Sequence, residues 1–290
     1  MKQVSFSVPP AYDGVSCRGF LRSFAGCSAR LLTAAKRMPR GLLKNGEPAT
    51  ARTVLSAGDV VTLTVAPAPC TAEPVELSVP VVWEDESVLV MEKPSGMPMY
   101  PCPGHDCDSL ANAVCFLFSR RGETPEYHPV YRLDRDTTGL VVMGKDSFAA
   151  SRLAGRVEKE YRALCEGELL GEGTFDGPIG LLPGHTIQRC VRPDGERAVT
   201  HWRSLAVQEG FSLVSFSLET GRTHQIRVHM AHAGHPLLGD DMYGGPMALL
   251  SRQALHCARV AFAHPVTGES LLFTSSFPPD MAALLALYNR

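Results

Sequence analysis

The sequence predicts an α+β protein, a mixed and largely antiparallel central sheet preceded by a small α/β module. Three observations lead there. Strand-like runs follow one another with helices interspersed irregularly, which favours a mixed sheet over a doubly wound one. A Pro- and Ala-rich stretch, "APAPCTAEPVELSVP" at 66–80, lacks periodicity and divides the chain. Charge divides at the same place: residues 1–65 hold nine basic and three acidic residues, a surplus of +6, and with the whole chain at −2 the remainder carries −8. The expected organisation is a module at 1–66, a linker at 67–80 and a main domain at 81–290.

In the module, "VSCRGFLRSFA" and "SARLLTAAKRM" read as two helices, the second capped by Ser28. "GLLKNGEPATARTVLSAGDVVTLTV" reads as short strands with turns at Asn45-Gly46 and Gly58-Asp59. The main domain opens with a hairpin, "VVWEDESVLVMEKPSGMP", ending in a tight Pro-Gly turn. "SLANAVCFLFSRR" is apolar at helical spacing. "LVVMGKD" is a strand, "SFAASRLAGRV" a helix and "KEYRALCEGEL" a strand, followed by strands "AVTHWRSLAV" and "FSLVSFSLE". "THQIRVHMAHAG" is a helix with Thr223 as N-cap and Gly234 as its stop. A hairpin around "PVTGE" and a helix "PDMAALLALYN", begun by Pro279, close the chain.

With 44% hydrophobic and 20% charged residues the composition is that of an ordinary globular chain, not a disordered or fibrous one. No apolar run reaches the roughly 18–20 residues needed to span a bilayer, and "MKQVSFSVPPAYDG" lacks the apolar core of a signal peptide. A cytoplasmic monomer with no membrane partner is expected. Nine cysteines without a Cys-x-x-Cys pair fit reduced thiols better than a disulfide framework. The basic module on an acidic body points to a polyanionic partner for the first part.

One stretch resists a bland reading. "YRLDRDTTGL", 131–140, sets Arg132, Asp134, Arg135 and Asp136 between strand formers, and charges are rarely buried unless paired or used. Two further segments stand out, "EKPSGMP" (92–98) and "GRTHQIRVHM" (221–230). In this order, and joined by "KEY" (159–161), "GHPLLGD" (234–240) and "YGG" (243–245), they resemble the RluA-type family of pseudouridine synthases over about residues 80–277. The two basic helices and small sheet of residues 12–66 resemble the S-four-type RNA-binding module.

The resemblance implies a pseudouridine-synthase fold and an RNA isomerase that needs no cofactor and no metal. Such an enzyme breaks the bond between uracil N1 and ribose C1′ and rejoins the base through C5. Its partner would be ribosomal RNA, in preference to transfer RNA, held by the basic module and the catalytic groove. Asp134 matches the family's catalytic aspartate, acting at C1′ either as covalent nucleophile or through a glycal-forming elimination. Arg227 matches the arginine that pairs with it and keeps it ionised. Tyr161 matches the tyrosine that packs on uracil and is a candidate base for the C5 proton. Arg132 matches an arginine inserted where the flipped base had stacked. Arg222, Thr223, His224 and Gln225 belong to the third motif, with supporting roles at the substrate. The chain departs from the common pattern at Tyr131, where many relatives have His, and at Thr138, where many have Ser; the first touches how the target loop is held.

Rival readings are weaker. His229 and His232 fall at i,i+3 on the expected helix, but no acidic ligand follows at a recognised zincin spacing. Cys102, His105 and Cys107 match no structural zinc spacing. A catalytically silent RNA-binding protein would use the same groove, yet an ionised carboxylate facing a phosphate-rich ligand opposes binding.

Overall fold

The computed structural model describes residues 2–288. Asn289, the last residue of the expected closing helix, lies outside the described residues. The first unit comprises β1 (Lys2–Ser7), α1 (Cys17–Ser23), α2 (Ala29–Lys36), β2 (Leu42–Lys44), β3 (Glu47–Pro48) and β4 (Val60–Val65). Its four-stranded sheet has the order β1-β4-β2-β3. Ser16 and Ser28 cap the two helices by accepting from Gly19 and Leu31 N–H groups. Asn45 and Gly46, both at positive φ, make the tight turn between β2 and β3. The sequence reading missed β1: its apolar residues only half line one face, and its partner β4 lies some sixty residues on.

The second unit begins with β5 (Val81–Glu84), β6 (Val88–Lys93), α3 (Leu110–Ser119), β7 (His128–Pro129), β8 (Thr138–Gly144) and α4 (Ser147–Leu153). It continues with β9 (Glu158–Glu166), β10 (Glu172–Asp176), β11 (Ile179–Leu181), β12 (Arg189–Val191), β13 (Val199–Gln208) and β14 (Phe211–Leu218). Then come α5 (Gln225–His232), β15 (Leu255–Ala263), β16 (Ser270–Thr274) and α6 (Pro279–Tyr288). The main sheet runs β10-β13-β14-β9-β15-β8-β6-β5, with β16 on β15 and β7 on β8, and β11 and β12 pair apart from it. All of its pairings are antiparallel except β15 with β8. The mixed, largely antiparallel α+β expectation holds.

Every residue of β8 is buried, which is why "TGLVVMG" reads as a continuous apolar run. At its start Gly139 sits at φ 113, and a Cβ there would lie 2.3 Å from the Cys257 carbonyl oxygen. Only glycine lets β15 come this close to the strand that carries the charged loop.

Two expectations need correction. The stretch 67–80 is no free tether: Cys70 N–H donates to Pro125 O, Asn112 Nδ2 donates to Glu73 O, and Leu77 and Val79 pack on the main core. Thr223 does not cap α5. The helix starts at Gln225, and His224 occupies the cap position in the left-handed region, with no side-chain cap bond. The reason is Gln225, whose Oε1 accepts from Arg222 N–H and the Thr220 hydroxyl, pulling residues 220–224 off the helical path.

The two units touch through α4. Phe148 is buried in the first unit's core, Lys2 Nζ meets Asp146 at 2.6 Å, and Arg152 donates to Ala25 O.

Candidate active site

The charged stretch is a loop between β7 and β8, and a lysine fixes it from below. Lys93, at the end of β6, is fully buried. Its ammonium donates to Pro94 O, Met97 O and Arg135 O at 2.7–2.8 Å. Three donors meet three acceptors, so the turn "PSGM" and the Asp134 loop are held to one point. Burial pulls the Lys93 pKa down to about 7 against the attraction of Asp136 and Asp134, while the three carbonyls favour the protonated form.

Asp134 lies at the tip of that loop, its side chain one-fifth exposed. Its Oδ2 accepts from Arg227 Nη1 at 3.3 Å and stands 3.9 Å from His224 Nε2. Arg227 projects from the first turn of α5 and is 5% exposed. Its main partner is not Asp134. Nε and Nη2 each donate to Asp240 at 2.7 Å in a bidentate fork, and Asp240 is wholly buried. The guanidinium also stands 4.9 Å from the Tyr243 ring centroid. One arginine thus serves two carboxylates: a buried one that fixes it, and an accessible one that it supports.

Arg132, Asp134, Tyr161, Arg222, His224, Gln225 and Arg227 line one pocket, with Leu133, Leu218, Ile226 and Leu255 as apolar walls. Of the residues expected from sequence, only Thr223 falls outside the lining. Tyr161 sits mid-strand on β9 between Phe216 and Cys257. Burial pushes its phenol well above the usual tyrosine range, with Cys257 and Asp134 adding to the effect. Tyrosinate is therefore scarce there at neutral pH. Arg132 is exposed and has no ion pair among the described residues. Arg222 is held by Glu196 and by Arg197 O. Gln225 is almost fully buried and uses both ends of its amide on the backbone and on Thr200 and Thr220, so its role here is to clamp the loop.

His224 adopts φ 59, a strained conformation for a non-glycine residue. Its Nδ1 meets the Tyr243 hydroxyl at 2.8 Å. Burial holds its pKa below the usual range despite Asp134. His229 spends both ring nitrogens on Thr200 Oγ1 and Gly177 O. Tyr131, the departure noted in the sequence, donates to Leu140 O and lies under Lys159. It ties the loop to β8 and stays out of the pocket lining. Asp240, Tyr243 and Lys93, which hold Arg227, His224 and the Asp134 loop in place, were not singled out by sequence reasoning; "GHPLLGD", "YGG" and "EKPSGMP" carried them only as motif letters.

The pocket thus combines an accessible carboxylate resting on a buried arginine with an exposed arginine that has no ion pair among the described residues. A family model described as RNA pseudouridylate synthase matches residues 87–232. An RNA pseudouridine synthase of Bacillus subtilis named YjbO, itself uncharacterized, is 40% identical over 91% of this chain and 96% of its own length. Ribosomal large subunit pseudouridine synthase D of Xanthomonas campestris is 36% identical over 84% of this chain and 80% of its own. The solved structure of human RNA pseudouridylate synthase domain containing 1 superposes with a TM-score of 0.57 at 24% identity, covering 71% of this chain and 87% of that one, which speaks to the fold. The chain belongs to the RNA pseudouridylate synthase family and is an isomerase acting on RNA.

Proposed function

We propose that this protein converts a specific uridine to pseudouridine in structured RNA, ribosomal in preference to transfer RNA, with Asp134 acting at C1′. The observation that carries the reading is the placement of Asp134: partly exposed in a pocket, with Arg227 beneath it and Arg227 itself locked by Asp240. The positive charge beside the carboxylate is in place before substrate arrives, so no reorganisation is needed to support it. The ribosomal preference is supported by the names of relatives such as the Xanthomonas enzyme.

In the reaction the N1–C1′ bond breaks and uracil leaves with the electron pair. The base turns, C5 attacks C1′, the C5 proton is lost and N1 gains a proton. Nothing is consumed, because the leaving group is also the attacking one. Asp134 serves either as the nucleophile that holds C1′ or as the base that forms a glycal. Tyr161 supplies a flat wall beside Asp134. As a base it must pass the C5 proton on as it arrives, because burial disfavours its anion. Arg132, exposed and unpaired, occupies the space a flipped nucleotide leaves. Residues 1–66 add affinity through their surplus of +6 over residues 1–65.

The test is tritium release from RNA carrying 5-tritiated uridine, made as unmodified transcripts of ribosomal and transfer RNA. Release from the ribosomal transcript, absent with Asp134→Ala, is the expected result. Binding of both RNAs with release from neither would make the protein a silent binder.

A further inference from the structure

Arg189 stands on β12, in the short hairpin that packs on α5. Its backbone N–H donates to the Tyr243 hydroxyl at 3.0 Å, and that hydroxyl meets His224 Nδ1 at 2.8 Å. Two hydrogen bonds therefore link Arg189 to a residue lining the Asp134 pocket. Its side chain is another matter. Nε is buried without a hydrogen-bond partner, and among the described residues no carboxylate pairs with the guanidinium.

The neighbours make this unusual. Arg222 has Glu196, Arg135 has Asp136, Arg252 has Asp280, and Arg192 in the same hairpin has Asp194. Arg227 has two aspartates. Among the described residues Arg132, which lines the pocket, and Arg189, joined to it through Tyr243 and His224, have no acid. A buried donor on a cation is costly when nothing accepts from it. The acceptor is then to be sought in the ligand. A guanidinium matches a phosphate by charge and by its forked donors, and every nucleotide of an RNA carries one. A uracil carbonyl offers no charge to answer it. The charge of Arg189 also reaches the pocket, where it adds to burial in lowering the pKa of His224.

We infer that Arg189 is a phosphate-binding residue, taking a backbone phosphate of the RNA beside the nucleotide held in the pocket. This rests on the proposed RNA reaction for its setting, but its test needs no turnover. Equilibrium binding of an unmodified large-subunit ribosomal RNA transcript is measured over a series of salt concentrations. The proteins are wild type, Arg189→Gln, Arg189→Lys and Arg120→Gln, the last an exposed arginine at the end of α3.

Arg189→Gln should bind about 5- to 30-fold more weakly at low salt, and its log–log salt slope should be shallower by about 0.7–0.9, one phosphate contact. Arg189→Lys should recover the slope and only part of the affinity, since a lysine cannot make the fork. Arg120→Gln should leave both unchanged. An unchanged slope in a Gln variant with wild-type melting temperature overturns the proposal. If the Gln variant melts early, the Lys variant decides: a wild-type slope supports the contact, and a slope equal to that of Gln overturns it. Absence of tritium release would defeat the proposed reaction and leave these slopes interpretable, while a Gln-variant slope equal to that of wild type would defeat Arg189 alone.

Discussion

The floor and the rim of the pocket handle charge in opposite ways. On the floor Arg227, Asp240 and Lys93 are almost or wholly out of water, and each is fully engaged by named partners. Around it Arg132, which lines the pocket, and Arg189, one hydrogen-bonded step behind His224, have no acid at all among the described residues. Burial explains the first: an unpaired charge in a dry interior is too costly to keep. The proposed phosphate contacts would account for the second. A rim cation that already had a carboxylate would have to give it up before it could meet a phosphate. The difference separates what must be rigid before RNA arrives from what RNA completes.

The largest effect should come from the accessible carboxylate. Asp134→Asn keeps the shape and the acceptor for Arg227 but removes the charge. Turnover should fall by more than about 10³-fold with RNA affinity kept within a few-fold. Single-turnover tritium release beside equilibrium binding measures both, and turnover near wild type would remove Asp134 from the chemistry. Asp240→Asn should act through the floor instead. It leaves Arg227 buried with half its fork unanswered, and breaking such a pair costs about 3–5 kcal/mol. The urea midpoint should drop accordingly and activity with it, because Arg227 is then free to close on Asp134. A midpoint like that of wild type would mean that Asp240 does not anchor the arginine. Lys93→Met should come next. Three carbonyls lose their donor, at about 1–3 kcal/mol for each one left unsatisfied, less where water enters. Loop 131–137 should then exchange amide hydrogens faster than β8, a contrast that would vanish if Lys93 were only filling space.

The pairing pattern also marks what could be read in the sequence. Asp134, Tyr161 and Arg227 lie far apart in the chain, and their motif letters sufficed to bring them to one pocket. The strands were legible where burial is two-sided, as in β8, or alternating, as in β14. Asp240 was not legible as a partner. It follows Arg227 by thirteen residues across a glycine-rich loop, and no helical or strand period links the two. Thr223 was misread as a cap because a Thr before an apolar run ordinarily is one; the Gln225 side chain reverses this by bonding backwards to Arg222. Arg189 lacked a signal of any kind, since an absent partner leaves no trace in a sequence.

The smallest effect should lie furthest from the floor, on the first unit. Arg30 and Lys36 lie on α2, exposed, within a unit that carries a +6 surplus over residues 1–65. That unit is fastened to α4 by Phe148 and by the Lys2–Asp146 pair, so its cations ride at a fixed place relative to the pocket. Removing the unit would uncover Phe148 and confuse lost contacts with lost stability. Substituting Arg30→Gln and Lys36→Gln together avoids this. If α2 extends the rim, the salt slope of RNA binding should shrink by up to about 0.9 for each lost phosphate contact while the single-turnover rate at saturating RNA stays unchanged. A rate that falls with binding intact would place α2 in the chemistry. An unchanged slope would make its charges a solvated face, and the proposed phosphate contacts would then be confined to Arg132 and Arg189.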